Sequence, residues 1–256
     1  MTLYESIFER RSVRNFRMDP LNEKSMSGIS RYKEELIPLF AEIDTKIEII
    51  SNLDKQAGIK GMFTVKAPYY LLFYSEEREG YLQNAGYMAQ QMVLYLFSRG
   101  IGSCYQGMAR LAEGEVDRQG RILTLVIAFG EAKGELRRKP ADAKRLDLQE
   151  LCVFKEEPGR SERELLDAAR LAPSAMNGQP WRFVVYGNRI HVFMRKSGHF
   201  TYRSRKWERV DMGIVLAHLM IAIDDLWIDA VMSRLENITH KTVPNNEYVI
   251  SVVLGK

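Results

Sequence analysis

The sequence predicts an α+β fold built from two tandem half-repeats, residues 1–155 and 156–256. Hydrophobic periodicity gives both halves the same order of elements: a helix, two strands, a long apolar helix and a final strand. Short sequence matches at equivalent places support the repeat: Asn84-Ala85-Gly86 with Asp211-Met212-Gly213, and Phe129-Gly130 with Leu254-Gly255.

In the first half, a short N-terminal helix with Leu3, Ile7 and Phe8 on its apolar side precedes the repeated elements. The long helix is apolar nearly all round and is expected to end at Gly100, so it is predicted to be buried. The predicted bounds are 22–40 for the first repeated helix, 46–50 and 69–74 for the strands, 81–98 for the long helix and 121–130 for the final strand.

In the second half, Ser161 and Glu164 have the spacing of a capping box, and Gly187-Asn188 indicates a tight turn between paired strands. The two long helices are predicted to pack on each other, because both are too apolar to face water. The predicted bounds are 161–171 for the helix, 182–186 and 189–194 for the strands, 207–226 for the long helix and 248–254 for the final strand.

The composition is that of an ordinary globular chain. Of its 256 residues, 46% are hydrophobic and 27% are charged, which is enough apolar material for a sizeable core. No apolar run has the length that spans a bilayer, and the N-terminus has neither a basic head nor a signal-like apolar core. We therefore expect a cytoplasmic protein without a membrane partner.

Cysteine and histidine give no metal-binding pattern. Cys104 and Cys152 do not form a C-x-x-C pair, and the four histidines lack metal-ligand spacing. The sequence therefore predicts neither a disulfide framework nor a metal site.

The chain is mildly basic, with a net charge of +4 and basic residues concentrated in 133–145 and 195–209. Such clusters can meet a nucleic acid backbone, but the stacking-aromatic pattern that usually accompanies this role is missing. We therefore expect no nucleic acid partner, and an anionic small molecule is the better match to the charge.

Residues 172–183, with the sequence A-P-S-A-M-N-G-Q-P-W-R-F, connect a predicted helix to a predicted strand. Pro173 cannot continue the helix, Gly178 is expected to free the backbone, and Pro180 favours extension before the strand. The loop is therefore predicted to be preformed and to present three small polar side chains to a ligand, those of Ser174, Asn177 and Gln179. The alternative is an ordinary turn followed by a core tryptophan.

A second motif, Arg10-Arg11-Ser12-Val13-Arg14-Asn15-Phe16, follows the N-terminal helix. In extended chain Arg10, Ser12 and Arg14 point to one side, where two guanidinium groups and a hydroxyl can bind a phosphate or a polar ring edge. The alternative is a solvated cluster of charges.

Together, the two motifs resemble those of the nitroreductase family of FMN-dependent oxidoreductases. The resemblance implies that Arg10, Arg11, Ser12 and Arg14 hold the phosphate, ribityl chain and pyrimidine edge of FMN. It also implies that the second motif, with Pro173, Ser174, Asn177 and Gln179, reaches the flavin from the partner subunit of a dimer.

The separation of the motifs differs from that in ordinary family members, where they lie within a few dozen residues. Here roughly 160 residues separate them, so the chain resembles the fused subgroup in which one polypeptide acts as a pseudo-dimer, and a monomer is expected. The first half has Leu36-Ile37-Pro38-Leu39-Phe40-Ala41 where the second has Ala172 to Asn177, and the second half lacks the arginine motif. One FMN site per chain is therefore expected.

A third segment, Gly100-Ile101-Gly102-Ser103-Cys104-Tyr105-Gln106-Gly107, resembles the family segment beside the central flavin ring. The resemblance implies that the backbone of Gln106 and Gly107 faces the flavin N5 region. It also implies that Arg145, and with it Lys144, lies near the phosphate.

The sequence shows no nucleophile paired with a base, which fits an enzyme whose cofactor carries the chemistry. By resemblance, NADH or NADPH reduces FMN, and a nitroaromatic, quinone or similar small-molecule acceptor is then reduced. Two alternatives remain: a non-catalytic FMN-binding sensor or storage protein, and a structural domain that binds no flavin.

Overall fold

The computed structural model describes residues 1–55, 57–112, 114–195, 202–239 and 245–255, and of 202–205 it describes the backbone only. The chain forms two compact units, Met1–Asp142 and Ala143–Lys256. Among the described helices, none has both the length and the hydropathy needed to cross a membrane.

The elements of the first unit are α1 (Leu3–Glu9), α2 (Glu23–Glu34), β1 (Thr45–Ser51), β2 (Ile59–Lys60), β3 (Tyr69–Ser75), α3 (Tyr81–Ser98), β4 (Gly102–Tyr105), β5 (Arg110–Leu111) and β6 (Ile122–Gly130). They form a four-stranded antiparallel sheet with the order β1-β3-β6-β4, and a small β2-β5 pair. A short 3-10 helix, Pro140–Asp142, ends the unit.

The elements of the second unit are α4 (Leu148–Leu151), β7 (Cys152–Phe154), α5 (Arg160–Arg170), β8 (Trp181–Tyr186), β9 (Arg189–Arg195), α6 (Tyr202–Asp225), β10 (Ala230–Ser233) and β11 (Asn246–Leu254). They form a five-stranded sheet with the order β7-β8-β9-β11-β10, in which the β7-β8 pair is parallel and the other pairs are antiparallel. A 3-10 turn, Ala175–Asn177, lies between α5 and β8.

The two units repeat one topology. The sheet order β1-β3-β6-β4 of the first corresponds to β8-β9-β11-β10 of the second, and β7 is the additional strand. In each unit, a helix precedes the first two strands and a long helix joins the second strand to the edge strand. The predicted α+β fold of two tandem half-repeats is confirmed.

The compact units divide at Asp142, whereas the sequence-based division places 143–155 in the first half. The segment 143–155 belongs to the second unit because β7 pairs with β8. The backbone N–H of Leu146 also donates to Gln179 Oε1, at 2.8 Å.

Both long helices use a buried polar side chain to hold the loop that follows the preceding helix, α2 in the first unit and α5 in the second. In α3, Asn84 Oδ1 accepts from Phe40 N–H at 3.0 Å. In α6, the Asp211 carboxylate accepts from Ala175 N–H, with distances of 3.1 and 3.0 Å to its two oxygens. One heptad further on, Gln91 and His218 bond backbone groups at or beside the C-terminal end of the preceding helix, at Ile37 and Ala168 respectively.

These contacts correct the alignment of the two loops. Because Phe40 and Ala175 make equivalent contacts, Pro38 corresponds to Pro173. The sequence comparison had placed Pro38 opposite Ser174, one position away. The first unit's loop is therefore Pro38-Leu39-Phe40, without the hydroxyl that Ser174 supplies in the second.

Two helix ends differ from the sequence-based prediction. Helix α2 ends at Glu34 and not at residue 40, because the residue before a proline is disfavoured in helical conformation and Pro38 follows closely. Helix α5 begins at Arg160 with Gly159 as its N-cap, so the capping box predicted for Ser161 and Glu164 is wrong. Elsewhere, α6 begins at Tyr202, before the predicted start at Trp207, and α3 has the predicted bounds.

The C-terminal ends of α3 and α6 are capped in the same way by different residues. Gly100 N–H donates to Phe97 O at 2.9 Å, and Trp227 N–H donates to Asp224 O at 3.3 Å. In both cases the N–H of the next residue, Ile101 or Ile228, donates to the carbonyl oxygen five residues earlier. The two bonds together form a Schellman motif. Gly100 has a φ of 79° and Trp227 a φ of 54°, so a tryptophan occupies a left-handed position that favours glycine.

Replacing Trp227 by Gly is expected to raise the free energy of unfolding by about 1 kcal/mol, because glycine adopts this conformation without steric cost. Gly100→Ala is expected to lower it by a similar amount, since the added Cβ meets nothing within 4 Å and only the backbone cost remains. Urea denaturation of both variants at low protein concentration measures the two effects. Changes of the same sign would contradict this assignment.

Candidate functional site

The arginine motif runs beside β4 in the first unit. Val13 N–H donates to Ser103 O at 2.9 Å, and Arg10 forms an isolated antiparallel bridge with Arg137. A Cβ on Gly102 would lie 2.7 Å from the Val13 side chain, so glycine permits this close approach. The motif and the segment that leads to Gly107 are therefore brought together within one unit.

Arg10 is buried, with 5% of its surface exposed, and its Nη2 donates to Ser12 Oγ at 2.9 Å. No carboxylate of the described residues lies within ion-pair distance of its guanidinium. Burial, with a smaller contribution from the charge of Arg14, lowers the pKa of Arg10. Arg14 is exposed, whereas Arg11 turns to Glu135, with Nη1 3.0 Å from Oε2.

Gln106 stabilises the turn after β4. Its backbone N–H donates to Val126 O at 2.8 Å, its Oε1 accepts from Val65 N–H at 2.8 Å, and its Nε2 donates to Cys104 O at 3.1 Å. The backbone N–H of Gln106 is therefore engaged within the unit. The N–H of the next residue, Gly107, makes no hydrogen bond to another described residue, so of the two predicted backbone donors it is the one left for a ligand.

Cys104 lies between the arginine motif and Gln106. Burial raises the pKa of its thiol, and the nearby charges of Arg14 and Arg10 offset this only in part. The neutral thiol is a poor nucleophile, so Cys104 is a packing residue of this site.

In the second unit, the polar side chains of the 174–179 loop bond to the chain itself. Asn177 Nδ2 donates to Lys144 O at 2.8 Å, and Asn177 Oδ1 accepts from Arg145 Nη1 at 2.6 Å. Gln179 is buried, and its Oε1 accepts from Leu146 N–H. The amides of Asn177 and Gln179 thus hold the loop against residues 144–146.

Arg145 and Ser174 also stabilise this loop. Arg145 Nε donates to Ala172 O at 2.9 Å, and Ser174 Oγ accepts from Gln179 N–H at 3.0 Å. Pro173 is buried. The structure therefore brings together all the predicted site residues of the second unit, and the predicted contact of Arg145 with a phosphate stays a prediction.

The backbone of the loop is strained. Met176, Asn177 and Gln179 have φ values of 52°, 57° and 46°, in the left-handed region. Gly178, expected to supply the backbone freedom, has an ordinary φ of −69°, so that interpretation is wrong. A non-glycine residue in this region costs on the order of 1–3 kcal/mol, and such strain persists only where the surroundings enforce it.

Asp211 holds this strained loop in place, and the sequence reasoning did not single it out. It is buried, with 4% of its surface exposed, and it binds the loop through Ala175 N–H. Burial raises the pKa of its carboxyl well above the ordinary value, the charge of Glu208 adds to this rise, and the bond from Ala175 opposes it. Its signal in the sequence was an acidic residue at the place that Asn84 has in the first repeat.

Gln90 is a second residue that the sequence reasoning did not single out. It is fully buried on α3, and its Oε1 accepts from Tyr105 Oη at 2.8 Å. A glutamine amid apolar residues of a buried helix was the available signal. The contact fixes the tyrosine that precedes Gln106.

Asp211→Asn is expected to keep the loop in place, because an amide oxygen can accept from Ala175 N–H as Asn84 does from Phe40. Asp211→Ala removes the acceptor and is expected to cost about 1–3 kcal/mol of unfolding free energy. Urea denaturation measures both variants. Equal losses in the two would show that the hydrogen bond is not what Asp211 contributes.

The free energy of unfolding is also expected to depend on pH through the Asp211 carboxyl. The unfolded carboxyl ionises near its ordinary pKa of about 3.9, whereas the folded carboxyl keeps its proton to higher pH. The wild type should therefore lose stability relative to Asp211→Asn as pH rises from about 4, until the folded carboxyl also ionises.

The comparisons with known proteins agree with this architecture. A family model described as "Putative TM nitroreductase" matches residues 2–223. None of the curated proteins matches the sequence.

The fold is similar to the crystal structure of a "putative nitroreductase" from Thermotoga maritima MSB8, with a TM-score of 0.67 and 20% identity over 99% of this chain and 94% of that one. A "Putative NADH dehydrogenase/NAD(P)H nitroreductase" from Bacteroides thetaiotaomicron VPI-5482 aligns with 60% of this chain and 98% of its own, at 16% identity and a TM-score of 0.45. An "FMN-dependent Nitroreductase" from Clostridium difficile R20291 aligns with 58% and 96%, at 15% identity and a TM-score of 0.43. Because the family model covers most of its length, the chain belongs to this nitroreductase family, a family of oxidoreductases.

Proposed function

We propose that this protein is an FMN-dependent oxidoreductase that uses NADH or NADPH to reduce a small-molecule acceptor such as a nitroaromatic compound or a quinone. The observation that carries the proposal is the buried guanidinium of Arg10, which has no carboxylate beside it among the described residues. Family membership supplies the reaction class.

A buried charge is normally paired, because leaving water without a counter-ion is costly. A phosphate monoester satisfies Arg10 well, since its oxygens accept the parallel N–H bonds that a guanidinium offers. Ser12, already bonded to Arg10, adds a hydroxyl, and the exposed Arg14 adds a second positive charge. The donor set therefore fits the phosphate and the polar edge of FMN.

We further propose that one FMN binds per chain and that both units are required for it. The first unit keeps the arginine motif, but its loop, Pro38-Leu39-Phe40, has no polar side chain. The second unit keeps the polar loop but lacks the arginine motif. One chain would then supply the two halves of a single site, as a pseudo-dimer.

In this proposal Asn177 and Gln179 act indirectly. Their amides are engaged with residues 144–146, so they fix the shape of the loop, and the exposed backbone of 175–178 is what a ligand would meet. Pro173 and Ser174 set the start of that backbone.

When bound, FMN would supply the hydride chemistry that no side chain here provides. Arg14 would hold positive charge where negative charge develops on reduction, and Gly107 would offer its backbone N–H. The neutral thiol of Cys104 would remain unreactive beside them. The cytoplasmic location stays a prediction.

Arg10→Ala and Gln179→Ala, one in each unit, are both expected to weaken FMN binding by at least about tenfold. The first loses a charge-assisted contact and the second loosens the loop, and either loss is worth roughly 1.5 kcal/mol or more. Flavin fluorescence titration measures the affinity. Matched controls are Arg17→Ala, at an exposed ion pair, and Asn188→Ala, in an exposed turn. FMN affinity unchanged by both site variants would refute the proposed site.

The activity is tested by adding NADH or NADPH to the purified, FMN-loaded protein under anaerobic conditions. Bleaching of the flavin absorbance faster than in free FMN, followed by recovery when a quinone is added, is the expected result. Tight FMN binding with no faster bleaching would identify a flavin sensor or store. Absence of FMN binding would leave a structural role.

A further inference from the structure

The connection between β1 and β3 is much longer than the equivalent connection in the second unit. Residues 52–68 join β1 to β3, whereas Gly187-Asn188 alone join β8 to β9. The longer connection contains β2, and its Ala57, Ile59 and Val65 pack on the apolar residues of one sheet face. Because the second unit closes the same strand pair with a tight turn, this length is not needed to form the sheet. It covers part of the sheet face instead.

A cavity of about 1170 Å³ lies between this cover and the sheet. Strands β1 and β3 line it on one side, and parts of 57–58 and 111–121 line it on the other. Its apolar wall includes Ile50, Leu72 and Leu111. All of its described lining residues belong to the first unit, and none of them is a predicted FMN-binding residue. The volume is sufficient for a small organic ligand that is unrelated to the flavin site.

Tyr74 is a buried polar residue on the wall of this cavity. Only 6% of its surface is exposed, and its hydroxyl makes no hydrogen bond to any other residue that the structure describes. By contrast, the hydroxyl of Tyr70, on the same face of β3, donates to Val65 O at 2.9 Å. A buried hydroxyl without a partner is unfavourable, so Tyr74 is a candidate contact for a ligand.

The charges of Glu48 and Asp117 indicate where the Tyr74 hydroxyl points. Both residues line the cavity, Glu48 on β1 and Asp117 on the opposite wall. Burial raises the pKa of Tyr74, and these two charges raise it further. The hydroxyl therefore faces the space between the two walls and keeps its proton, as a hydrogen-bond donor without an acceptor.

The charged residues on the cavity wall leave one positive charge unpaired. Lys46 pairs with Glu48, and Arg121 pairs with Asp117 at 2.7 Å. Arg118 also lines the cavity, is exposed, and has no carboxylate within ion-pair distance in the part of the chain that the structure describes. A ligand that balances the wall is therefore an anion, with its negative charge toward Arg118 and away from the two carboxylates.

We propose that this cavity is a second small-molecule site, which binds an aromatic acid that also carries a hydroxyl or carbonyl oxygen. The rings would lie against Ile50, Leu72 and Leu111, where a sheet face offers a flat apolar wall. The carboxylate would face Arg118, and the second oxygen would accept a hydrogen bond from Tyr74. The proposal does not depend on FMN, because none of these residues belongs to the predicted flavin site.

Equilibrium dialysis with 6-hydroxy-2-naphthoate tests the proposal, and 2-naphthoate is the matched ligand without the hydroxyl. Tyr74→Phe keeps the ring and removes the donor. It is expected to lower the affinity for 6-hydroxy-2-naphthoate about fivefold and to leave the affinity for 2-naphthoate unchanged. No binding of 6-hydroxy-2-naphthoate to the wild type, or an equal effect of Tyr74→Phe on the two ligands, would overturn the proposal.

The same assay tests the charge of Arg118. Arg118→Gln is expected to weaken the binding of both naphthoates about threefold, a modest change because exposed ion pairs are screened by water. Arg31→Gln, at an exposed ion pair on α2, is the matched control and is expected to change neither affinity. Equal affinities of these two variants would contradict the assignment of the carboxylate to Arg118 and overturn the proposed ligand class.

Dialysis of the FMN-loaded protein separates this site from the flavin site. Naphthoate affinity is expected to be the same with and without FMN, and FMN affinity is expected to be unchanged in Tyr74→Phe. Loss of naphthoate binding on loading with FMN would place the naphthoate in the flavin site and overturn the cavity proposal. FMN binding without naphthoate binding would refute the cavity site alone, whereas naphthoate binding without FMN binding would refute the proposed function alone.

Discussion

The hydrogen bond from a loop N–H to a buried polar side chain of the long helix is the contact on which both units depend. Asn84 makes it with Phe40, and Asp211 makes it with Ala175. In each unit it ties the connection between the preceding helix and the first strand to the centre of the core. In the second unit it also secures a backbone with three left-handed residues, which ordinary turn energetics would not maintain.

In the proposed site, some residues would contact the ligand and others shape its surroundings. Arg10 is a buried charge without a carboxylate beside it among the described residues, whereas Asn177, Gln179 and Arg145 satisfy one another and the backbone. The family resemblance implied that all of them bind the cofactor. Their hydrogen bonds show that a polar side chain in a candidate binding loop can be fully used in fixing the loop.

The predictions that succeeded rest on local physics. The bounds of α3 follow from continuous apolarity and the glycine after it, and the β8-β9 hairpin follows from Gly187-Asn188. The failures concern contacts between distant segments. The three-residue strand β7 exists only because β8 accepts it, and the left-handed residues around Gly178 exist only because Asp211 and residues 144–146 hold them. Neither effect has a signal within its own stretch of sequence.

The unequal helix caps show what joining two repeats in one chain permits. In a homodimer every substitution appears twice, so a residue that helps one copy and harms the other is eliminated. Here Gly100 and Trp227 occupy the same structural position in the same left-handed conformation, which strains the backbone of the tryptophan but not that of the glycine. Covalent fusion removes the requirement of identity, and each repeat can acquire a surface, a charge or a conformational cost that its counterpart never shares.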